Sequence, residues 1–174
     1  LAKTRAGKIE LHIEKASIPQ LIESAVSSFS LETLKKEIQV TTRVEDNLPF
    51  LISDAGKVQQ IIFNFLSNAV KFTPKNGKIE ISVSLKEDGK TVRLAVTDNG
   101  CGIKEEDKER IFEKFVTADD SLTRESSGTG LGLAISSELA ALLAGKVGVE
   151  SKVGEGSTFW VEIPVTLSKE TVKA

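Results

Sequence analysis

Two asparagines and a lysine share one edge of a predicted helix in the segment FNFLSNAVKFT (63–73). At about 100° per residue, Asn64, Asn68 and Lys71 fall within about 60° of one another, beside an apolar stripe. Amide oxygens can ligate a hard cation such as Mg²⁺, and an ammonium group can meet the charge of a phosphate. Taken alone, the three residues favour an ordinary solvated helix face, with a cation and phosphate site as the alternative.

Asp98 stands where a predicted strand ends, and Gly100 and Gly102 follow it in DNGCGI (98–103). Glycine lets the chain turn sharply and come close to a ligand. A carboxylate at this place can accept a hydrogen bond from an amino group such as the exocyclic amine of adenine. Taken alone, the segment is more typical of a common turn, and VGEGSTF (153–159) has the same ambiguity.

A second glycine cluster, formed by Gly128, Gly130 and Gly132, runs straight into a predicted helix within residues 125–145. The first turn of a helix offers unpaired N–H groups to an anion, although a plain loop would have the same composition. A Rossmann dinucleotide fingerprint is excluded, because position 133 is leucine and no strand leads directly into the loop.

Apolar periodicity predicts the elements that must position these residues. Asp54 is expected to cap the second of three helices, and Gly145 is expected as the residue that ends the third. Because the helices fall between antiparallel strand pairs, the pattern predicts an α+β fold, a two-layer α/β sandwich whose mixed, mostly antiparallel sheet carries helices on one face. The predicted strands cover residues 8–15, 37–45, 78–85, 91–98, 146–151 and 157–165, and the predicted helices cover about 18–34, 55–72 and 131–144.

The composition of the chain excludes several classes of protein. With 23 Lys and Arg against 25 Asp and Glu, the 174-residue chain has no basic field to attract nucleic acid. One cysteine and one histidine, Cys101 and His12, leave no disulfide framework and no zinc-finger spacing. No apolar run is long enough to span a bilayer, so we expect a cytoplasmic domain, including the case of the cytoplasmic part of a membrane-bound sensor.

Five short motifs in a fixed order carry more information than any one of them. The series resembles the catalytic and ATP-binding domain of sensor histidine kinases, within the ATPase superfamily that includes gyrase, Hsp90 and MutL, and it spans about residues 54–164. The motifs are an Asn-x-x-x-Asn-x-x-Lys helix, Asp-x-Gly-x-Gly after a strand, Phe-x-x-Phe at 112 and 115, Gly-x-Gly-x-Gly before a helix, and Gly-x-Gly-Ser-Thr-Phe at 154–159.

This resemblance implies a division of the chain and a Bergerat-type ATP-binding fold. Residues 1–15 would be the end of a dimerisation helix with a linker strand, residues 16–166 the catalytic and ATP-binding domain, and residues 167–174 a C-terminal tail. The implied partners are the dimerisation and phosphoacceptor domain of the same kinase and a response regulator receiver domain, without nucleic acid.

The resemblance also implies roles for individual residues toward ATP and Mg²⁺. Asn68, with Asn64 beside it, would ligate Mg²⁺; Asn64 and Lys71 would be the catalytic residues, and Lys71 would contact phosphate. Asp98 would accept the adenine amine, with Ser157 or Thr158 assisting through water. The complete set implied for ATP is Asn64, Asn68, Lys71, Asp98, Gly100, Gly102, Phe112, Lys114, Phe115, Gly128, Thr129, Gly130, Leu131, Gly132, Ser157 and Thr158.

A flexible lid over the nucleotide is the remaining element that the resemblance implies. Phe112 and Phe115 would close the apolar wall and hinge a lid at 116–127, and Lys114 would reach phosphate. The three glycines of the cluster at 128–132 would bring backbone N–H groups to the phosphates.

Asn64 bears on the type of reaction. In the gyrase, Hsp90 and MutL branches, the residue four before the Mg²⁺ asparagine is a glutamate that activates water. An amide cannot accept a proton usefully at neutral pH, so Asn64 favours the histidine kinase branch, in which the γ-phosphate moves to a histidine. The sole histidine, His12, is expected to be an exposed strand residue, so the phosphoacceptor would lie outside this chain.

Two alternative functions stay open at this point. The lid carries Arg124 to Ser127, RESS, without the aromatic residue common in related hybrid kinases. This departure allows a degenerate nucleotide-binding or protein-interaction module without kinase activity. An ATP-hydrolysing relative is the third alternative, and Asn64 argues against it.

Overall fold

The structure, a computed structural model, describes residues 10–114 and 130–168. The end of the predicted dimerisation helix and the whole predicted lid at 116–127 lie outside the described residues. The helices are α1 (Ile18–Ser28), α2 (Ser30–Lys35), α3 (Ala55–Phe72) and α4 (Gly132–Leu142), with a short 3₁₀ turn at Glu105–Asp107. The strands are β1 (Glu14–Ala16), β2 (Gln39–Val44), β3 (Leu51–Ser53), β4 (Lys78–Leu85), β5 (Thr91–Asp98), β6 (Lys146–Lys152) and β7 (Gly156–Pro164).

A five-stranded sheet in the order β2-β4-β5-β7-β6 forms one layer of the described part. Only β2 and β4 run parallel in this sheet, and the other neighbours are antiparallel. The predicted α+β fold with a mixed, mostly antiparallel sheet is therefore confirmed. In the register of β5 with β7, Asp98 lies directly opposite Ser157, so both side chains are on the same face.

Helix α3 packs across this face and fixes the orientation of the asparagine edge. Its N-terminus is capped by Asp54, whose Oδ1 accepts a hydrogen bond from the Lys57 backbone N–H at 3.1 Å. Phe65 and Ile62 on its apolar stripe are fully buried, and each contributes about 1.5–3 kcal/mol through burial. Rotation of α3 would expose this stripe, so the polar edge beside it has one stable orientation.

The opposite face of the sheet is polar, with a half-buried tryptophan at its centre. The ring of Trp160 lies over Gly148, where an added Cβ would come within 2.2 Å of a ring carbon. The guanidinium carbon of Arg93 lies 4.4 Å from the centre of the same ring. Next to it, the buried Glu162 binds Arg93 at 3.2 Å and Lys86 at 3.0 Å. Buried charge on this face is therefore paired.

A second, small sheet joins the start and the end of the described chain. β1 pairs antiparallel with β3, and residues 165–167 run along the other edge of β3. The Ile52 N–H donates to the Val165 carbonyl at 2.8 Å, and the Leu167 N–H donates to the Ile52 carbonyl at 2.8 Å. Leu167, which the sequence analysis placed in the tail, is buried, so the packed part extends at least to this residue.

The first two predicted elements differ from the observed ones. The predicted helix over 18–34 is broken at Phe29 (φ −106°, ψ 10°), whose ring packs 4.6 Å from that of Phe63 on α3. In the described part of the predicted first strand over 8–15, residues 10–13 are not in a strand, and only 14 and 15 belong to β1. His12 is exposed as expected, but it precedes the strand, and its backbone N–H donates to Asp54 Oδ2 at 3.0 Å.

The C-terminus of α4 also differs from the prediction. Ala144, and not Gly145, takes the left-handed conformation, with φ 56°. The Gly145 N–H donates to the Ala140 carbonyl at 2.8 Å, and the Ala144 N–H donates to the Ala141 carbonyl at 3.0 Å, which is the Schellman pattern. Glycine is needed at 145 for another reason, because an added Cβ would lie 2.3 Å from the carbonyl oxygen of Glu162.

Candidate functional site

Asn64 holds the first turn of α4 against α3. Its Nδ2 donates to the Gly132 carbonyl at 2.9 Å and to Ser136 Oγ at 3.0 Å. Ser136 is fully buried, and its own hydroxyl donates to the Gly132 carbonyl at 2.9 Å. Both amide hydrogens of Asn64 are thus used, and its Oδ1 accepts no hydrogen bond from the described residues.

Ser136 is a functional candidate that the sequence analysis missed. A serine on the buried side of a helix needs a hydrogen-bond partner, and this requirement is the feature of the sequence that could have pointed to Ser136. Its partner Asn64 lies 72 positions away in the sequence, on another helix. The spacing within α4 therefore could not identify the pair.

Asn68 and Lys71 lie on the same edge of α3 as Asn64 and are half-buried. Within residues 10–114 and 130–168, neither side chain forms a hydrogen bond or an ion pair. Lys71 Nζ lies 5.0 Å from the centre of the Phe72 ring, at the end of the helix. Among the described residues, the Asn68 amide and the Lys71 ammonium group therefore have no hydrogen-bond or ion-pair partner.

Asp98 is a buried carboxylate, 6% exposed, at the end of β5. Burial raises the pKa of Asp98 above its usual range, and hydrogen bonds from the backbone N–H groups of Gly100 and Ser157 offset this only in part. The Gly100 N–H lies 2.8 Å from Asp98 Oδ1. No Lys, Arg or His side chain of the described chain pairs with it, so the carboxylate can take a further hydrogen-bond donor.

Gly100 joins the loop after β5 to the end of α3. An added Cβ at this position would lie 2.6 Å from the Phe72 carbonyl oxygen and 2.8 Å from Asp98 Oδ1. Gly102 has φ 72°, and a Cβ there would lie 2.1 Å from the Lys152 carbonyl oxygen. The fold itself thus requires glycine at both positions, whether or not a ligand is bound.

The structure separates Ser157 from Thr158. Ser157 is buried on the face that carries Asp98, and its Oγ lies 2.9 Å from Ser151 Oγ. Thr158 faces the other side of the sheet, where its Oγ1 lies 2.9 Å from Thr97 Oγ1. Of the two hydroxyls predicted to assist Asp98, only that of Ser157 is on the correct side.

Phe112 and Lys114 have different surroundings. The Phe112 ring meets Phe159 edge to face at 6.3 Å between ring centres, so it forms part of an apolar wall beside the core. Lys114 Nζ lies 2.8 Å from Glu138 Oε1 on α4, and both side chains are more than half exposed. This lysine therefore contacts a carboxylate on α4 in the structure.

The glycine cluster lies only partly within the described residues. Phe115, Gly128 and Thr129 fall outside them. Gly130 has φ 64°, and Leu131 forms the N-cap of α4. A Cβ at Gly132 would lie 3.7 Å from Asn64 Cγ, an ordinary contact. The described fold thus does not require glycine at 132 for space.

A family model described as "Histidine kinase-, DNA gyrase B-, and HSP90-like ATPase" matches residues 53–167. The chain belongs to this ATPase family. The match spans α3 to β7 and so includes all the described site residues. The resemblance inferred from the five ordered motifs is therefore confirmed.

Curated relatives of this ATPase domain are longer proteins named as histidine kinases. Sensor histidine kinase AruS of Pseudomonas aeruginosa is 48% identical over 114 residues, which cover 64% of this chain and 11% of that protein. Hybrid signal transduction histidine kinase B of Dictyostelium discoideum is 35% identical over 176 residues, which cover 99% of this chain and 9% of that protein. The chain thus spans about a tenth of the length of these relatives.

Two solved structures match the fold of the domain. Full-length ShkA in complex with AMPPNP has a TM-score of 0.82 and 36% identity, over 94% of this chain and 33% of that chain. The nucleotide-free catalytic domain of the histidine kinase ThkA has a TM-score of 0.77 and 29% identity, over 89% of this chain and 99% of that chain. The match to a catalytic domain over nearly its whole length agrees with the predicted fold.

None of the helices in residues 10–114 and 130–168 has the length and apolar character needed to cross a bilayer.

Proposed function

We propose that this ATPase-family domain binds Mg-ATP and transfers the γ-phosphate to a histidine outside the chain, as the catalytic part of a sensor histidine kinase. The observation that carries the proposal is Asp98, a buried carboxylate with a raised pKa and no cationic partner in the described chain. The reaction would take place in the cytoplasm, with the dimerisation and phosphoacceptor domain and a response regulator receiver domain as partners.

Asp98 is suited to recognise the adenine amine. Its Oδ1 already accepts the Gly100 N–H, which fixes the orientation of the carboxylate. A ligand amine would supply the donor that the buried carboxylate lacks, and a hydrogen bond to a charged group contributes about 1.5–3 kcal/mol. Ser157 lies opposite Asp98 on the same face, which supports a role for its hydroxyl in assisting Asp98 through water.

The edge of α3 fits a magnesium ion that arrives with the phosphates. Within the described part there is no group of three or more His, Cys, Asp or Glu residues that could hold a resident metal. The amide oxygens of Asn64 and Asn68 would serve as one or two protein ligands, the arrangement that Mg²⁺ takes with nucleotides. When bound, the ion would neutralise charge that develops on the transferred phosphoryl group. Lys71 would contact the phosphates from the same edge.

The surroundings of Asn64 favour transfer over hydrolysis. A carboxamide cannot accept a proton usefully at neutral pH, so Asn64 cannot act as a general base, and its two amide hydrogens donate to α4. Its position and chemistry support the kinase branch of the family. His12 is a poor acceptor candidate because it lies before β1 and outside the helices, where its backbone N–H donates to Asp54.

Calorimetric titration of the chain with ATP and Mg²⁺ tests the binding part of the proposal. Asp98→Asn should abolish or strongly weaken binding, whereas Glu162→Gln, a buried carboxylate on the other face, should leave it unchanged. Incubation with γ-labelled ATP and a histidine-bearing dimerisation domain should then give acid-labile phosphate on that histidine. A wild-type chain that binds no ATP would favour the degenerate module instead.

A further inference from the structure

Lys36, which belongs to none of the five motifs, binds the C-terminal end of α3. Its Nζ lies 2.7 Å from the Val70 carbonyl, 3.1 Å from the Lys71 carbonyl and 2.8 Å from the Thr73 carbonyl. An ammonium group has three N–H donors, so these three acceptors use all of them. Lys36 is itself fixed, because its own carbonyl accepts the Asn76 N–H at 2.8 Å.

The last four carbonyls of α3 show what Lys36 contributes. The first, on Ala69, accepts the Thr73 N–H at 2.9 Å and the Thr73 hydroxyl at 2.6 Å. The next two accept from Lys36, and the fourth, on Phe72, lies against Gly100. Without the ammonium group, two carbonyls at a partly buried helix end would lose their partner. The positive charge also complements the negative end of the helix dipole.

This turn of α3 lies between the two parts of the candidate site. Lys71 projects from it, Asn68 lies one turn before it, and the loop that orients Asp98 packs on its last carbonyl through Gly100. Lys36 touches none of the proposed ligand-binding groups with its ammonium group, but it holds the backbone that carries them.

We infer that Lys36 is a positioning residue for nucleotide binding, which fixes the last turn of α3 so that Lys71 is held where it meets the phosphates. This inference rests on the proposed function. Arginine would be a poor substitute, because its planar fork does not match three carbonyls at the end of one helix.

The test compares Lys36→Gln with Lys35→Gln, the same change one residue earlier on an exposed side chain without a hydrogen bond or ion pair in the described structure. In calorimetry with Mg-ATP we expect Lys36→Gln to raise the Kd about tenfold, the equivalent of one lost favourable helix-end charge interaction. Lys35→Gln should change the Kd less than about twofold, as usual for an exposed charge.

A double-mutant cycle separates positioning from a general loss of stability. If Lys36 acts through Lys71, its effect on the Kd should largely disappear in a Lys71→Gln background, because the two changes remove the same interaction. An equal effect in both backgrounds, or an unchanged Kd in a folded Lys36→Gln chain, would overturn the inference. A wild-type chain without ATP binding would instead refute the proposed function.

Hydrogen exchange provides a readout that does not need nucleotide. The Thr73 amide, bonded to the Ala69 carbonyl, should exchange faster in Lys36→Gln than in Lys35→Gln. If Lys36→Gln does not fold, Lys36→Arg keeps the charge and should show a smaller rise in both Kd and exchange rate. Wild-type exchange at Thr73 in that variant, together with a wild-type Kd, would also contradict the inference.

Discussion

Asp98 and Glu162 are two buried carboxylates of the same five-stranded sheet, 6% and 5% exposed, and they lie on opposite faces. Glu162 is surrounded by cations, with Lys86, Arg93 and Lys146 at 3.0, 3.2 and 3.4 Å. Within residues 10–114 and 130–168, the hydrogen-bond donors to Asp98 are the backbone N–H groups of Gly100 and Ser157, and no cation pairs with it. Glu162 thus shows a buried carboxylate neutralised by cations, whereas Asp98 has no cationic partner among the described residues, and this difference supports the proposed role of Asp98 in ligand binding.

The pKa values of the two carboxylates shift in opposite directions. Burial would raise the pKa of Glu162, but hydrogen bonds from Lys86, Arg93 and Lys146 outweigh it, and the pKa of this carboxyl lies below its usual range. For Asp98 burial prevails, and the pKa is raised. Each of the following predictions tests whether this contrast reflects a division between ligand binding and stability.

The largest expected effect is on nucleotide affinity. Asp98→Asn should weaken Mg-ATP binding by about 10- to 150-fold, since a hydrogen bond to a charged group is lost. Glu162→Gln should change the Kd less than about twofold, because the residue lies on the other face of the sheet. Titration calorimetry measures the Kd of both variants. Equal losses of affinity in the two would contradict the division between a ligand-binding and a structural carboxylate.

The second effect is on stability, and here Glu162→Gln should have a larger effect than Asp98→Asn. Glu162→Gln should lower the free energy of unfolding by about 1–2 kcal/mol, because a buried group loses charged hydrogen bonds to cations that are themselves partly exposed. Asp98→Asn should be neutral or stabilising without nucleotide, since the buried charge is removed. Urea unfolding compares them, and a Glu162→Gln variant as stable as the wild type would contradict the structural role.

The third effect is a difference in pH dependence. Because the Asp98 pKa is raised above 3.8, its contribution to stability is fully present below that value and is lost as the pH rises through the raised pKa. The Glu162 contribution is present above 4.5 and is lost as the pH falls through the lowered pKa. Relative to its own Asn or Gln variant, the wild type should thus lose stability with rising pH at one residue and with falling pH at the other. Parallel pH profiles would be inconsistent with the opposite shifts.

The smallest effect separates two of the three cations around Glu162, Lys146 and Arg93. Lys146 makes the longest contact with Glu162, at 3.4 Å, and its side chain is 66% exposed. Lys146→Met should therefore cost less than about 0.5 kcal/mol in thermal unfolding. Arg93 is 31% exposed and also contacts Glu150 and Trp160, so Arg93→Met should cost more. If Lys146→Met cost more than Arg93→Met, the distance from each cation to Glu162 would not predict its contribution to stability.

Long elements with clear periodicity could be predicted from the sequence. The strands predicted over 78–85 and 91–98 coincide with β4 and β5, because eight residues of alternation define both face and length. β3 has three residues, and its partners are β1 and residues 165–167. Such a strand exists through pairing with distant segments, which local periodicity does not contain.

The break between α1 and α2 shows another limit. The residues of the predicted helix over 18–34 have suitable helical spacing, and nothing local marks Phe29 as its end. The contact of this ring with Phe63 on α3 is a tertiary interaction, and such contacts override local helix propensity. Ala144 is similar, since glycine is expected at the left-handed position that ends α4.

For the candidate site, the motifs predicted the candidate ligand-binding residues but not the residues that contact and orient them. Asn64, Asn68 and Asp98 follow from type, spacing and resemblance. Ser136 and Lys36 act through partners far away in the sequence, which only the fold brings near. The sequence could have predicted that Ser157 and Thr158 lie on opposite faces of the sheet. Side chains alternate along a strand, so Ser157 lies on the same side as the buried Phe159.

The position of Trp160 has a practical consequence. The chain contains one tryptophan, and it lies on the polar sheet face between Gly148 and Arg93, away from Asp98. All indole fluorescence therefore originates from one spot beside Glu162. Emission spectra would follow the melting of that face, whereas nucleotide occupancy on the far side calls for a separately attached dye.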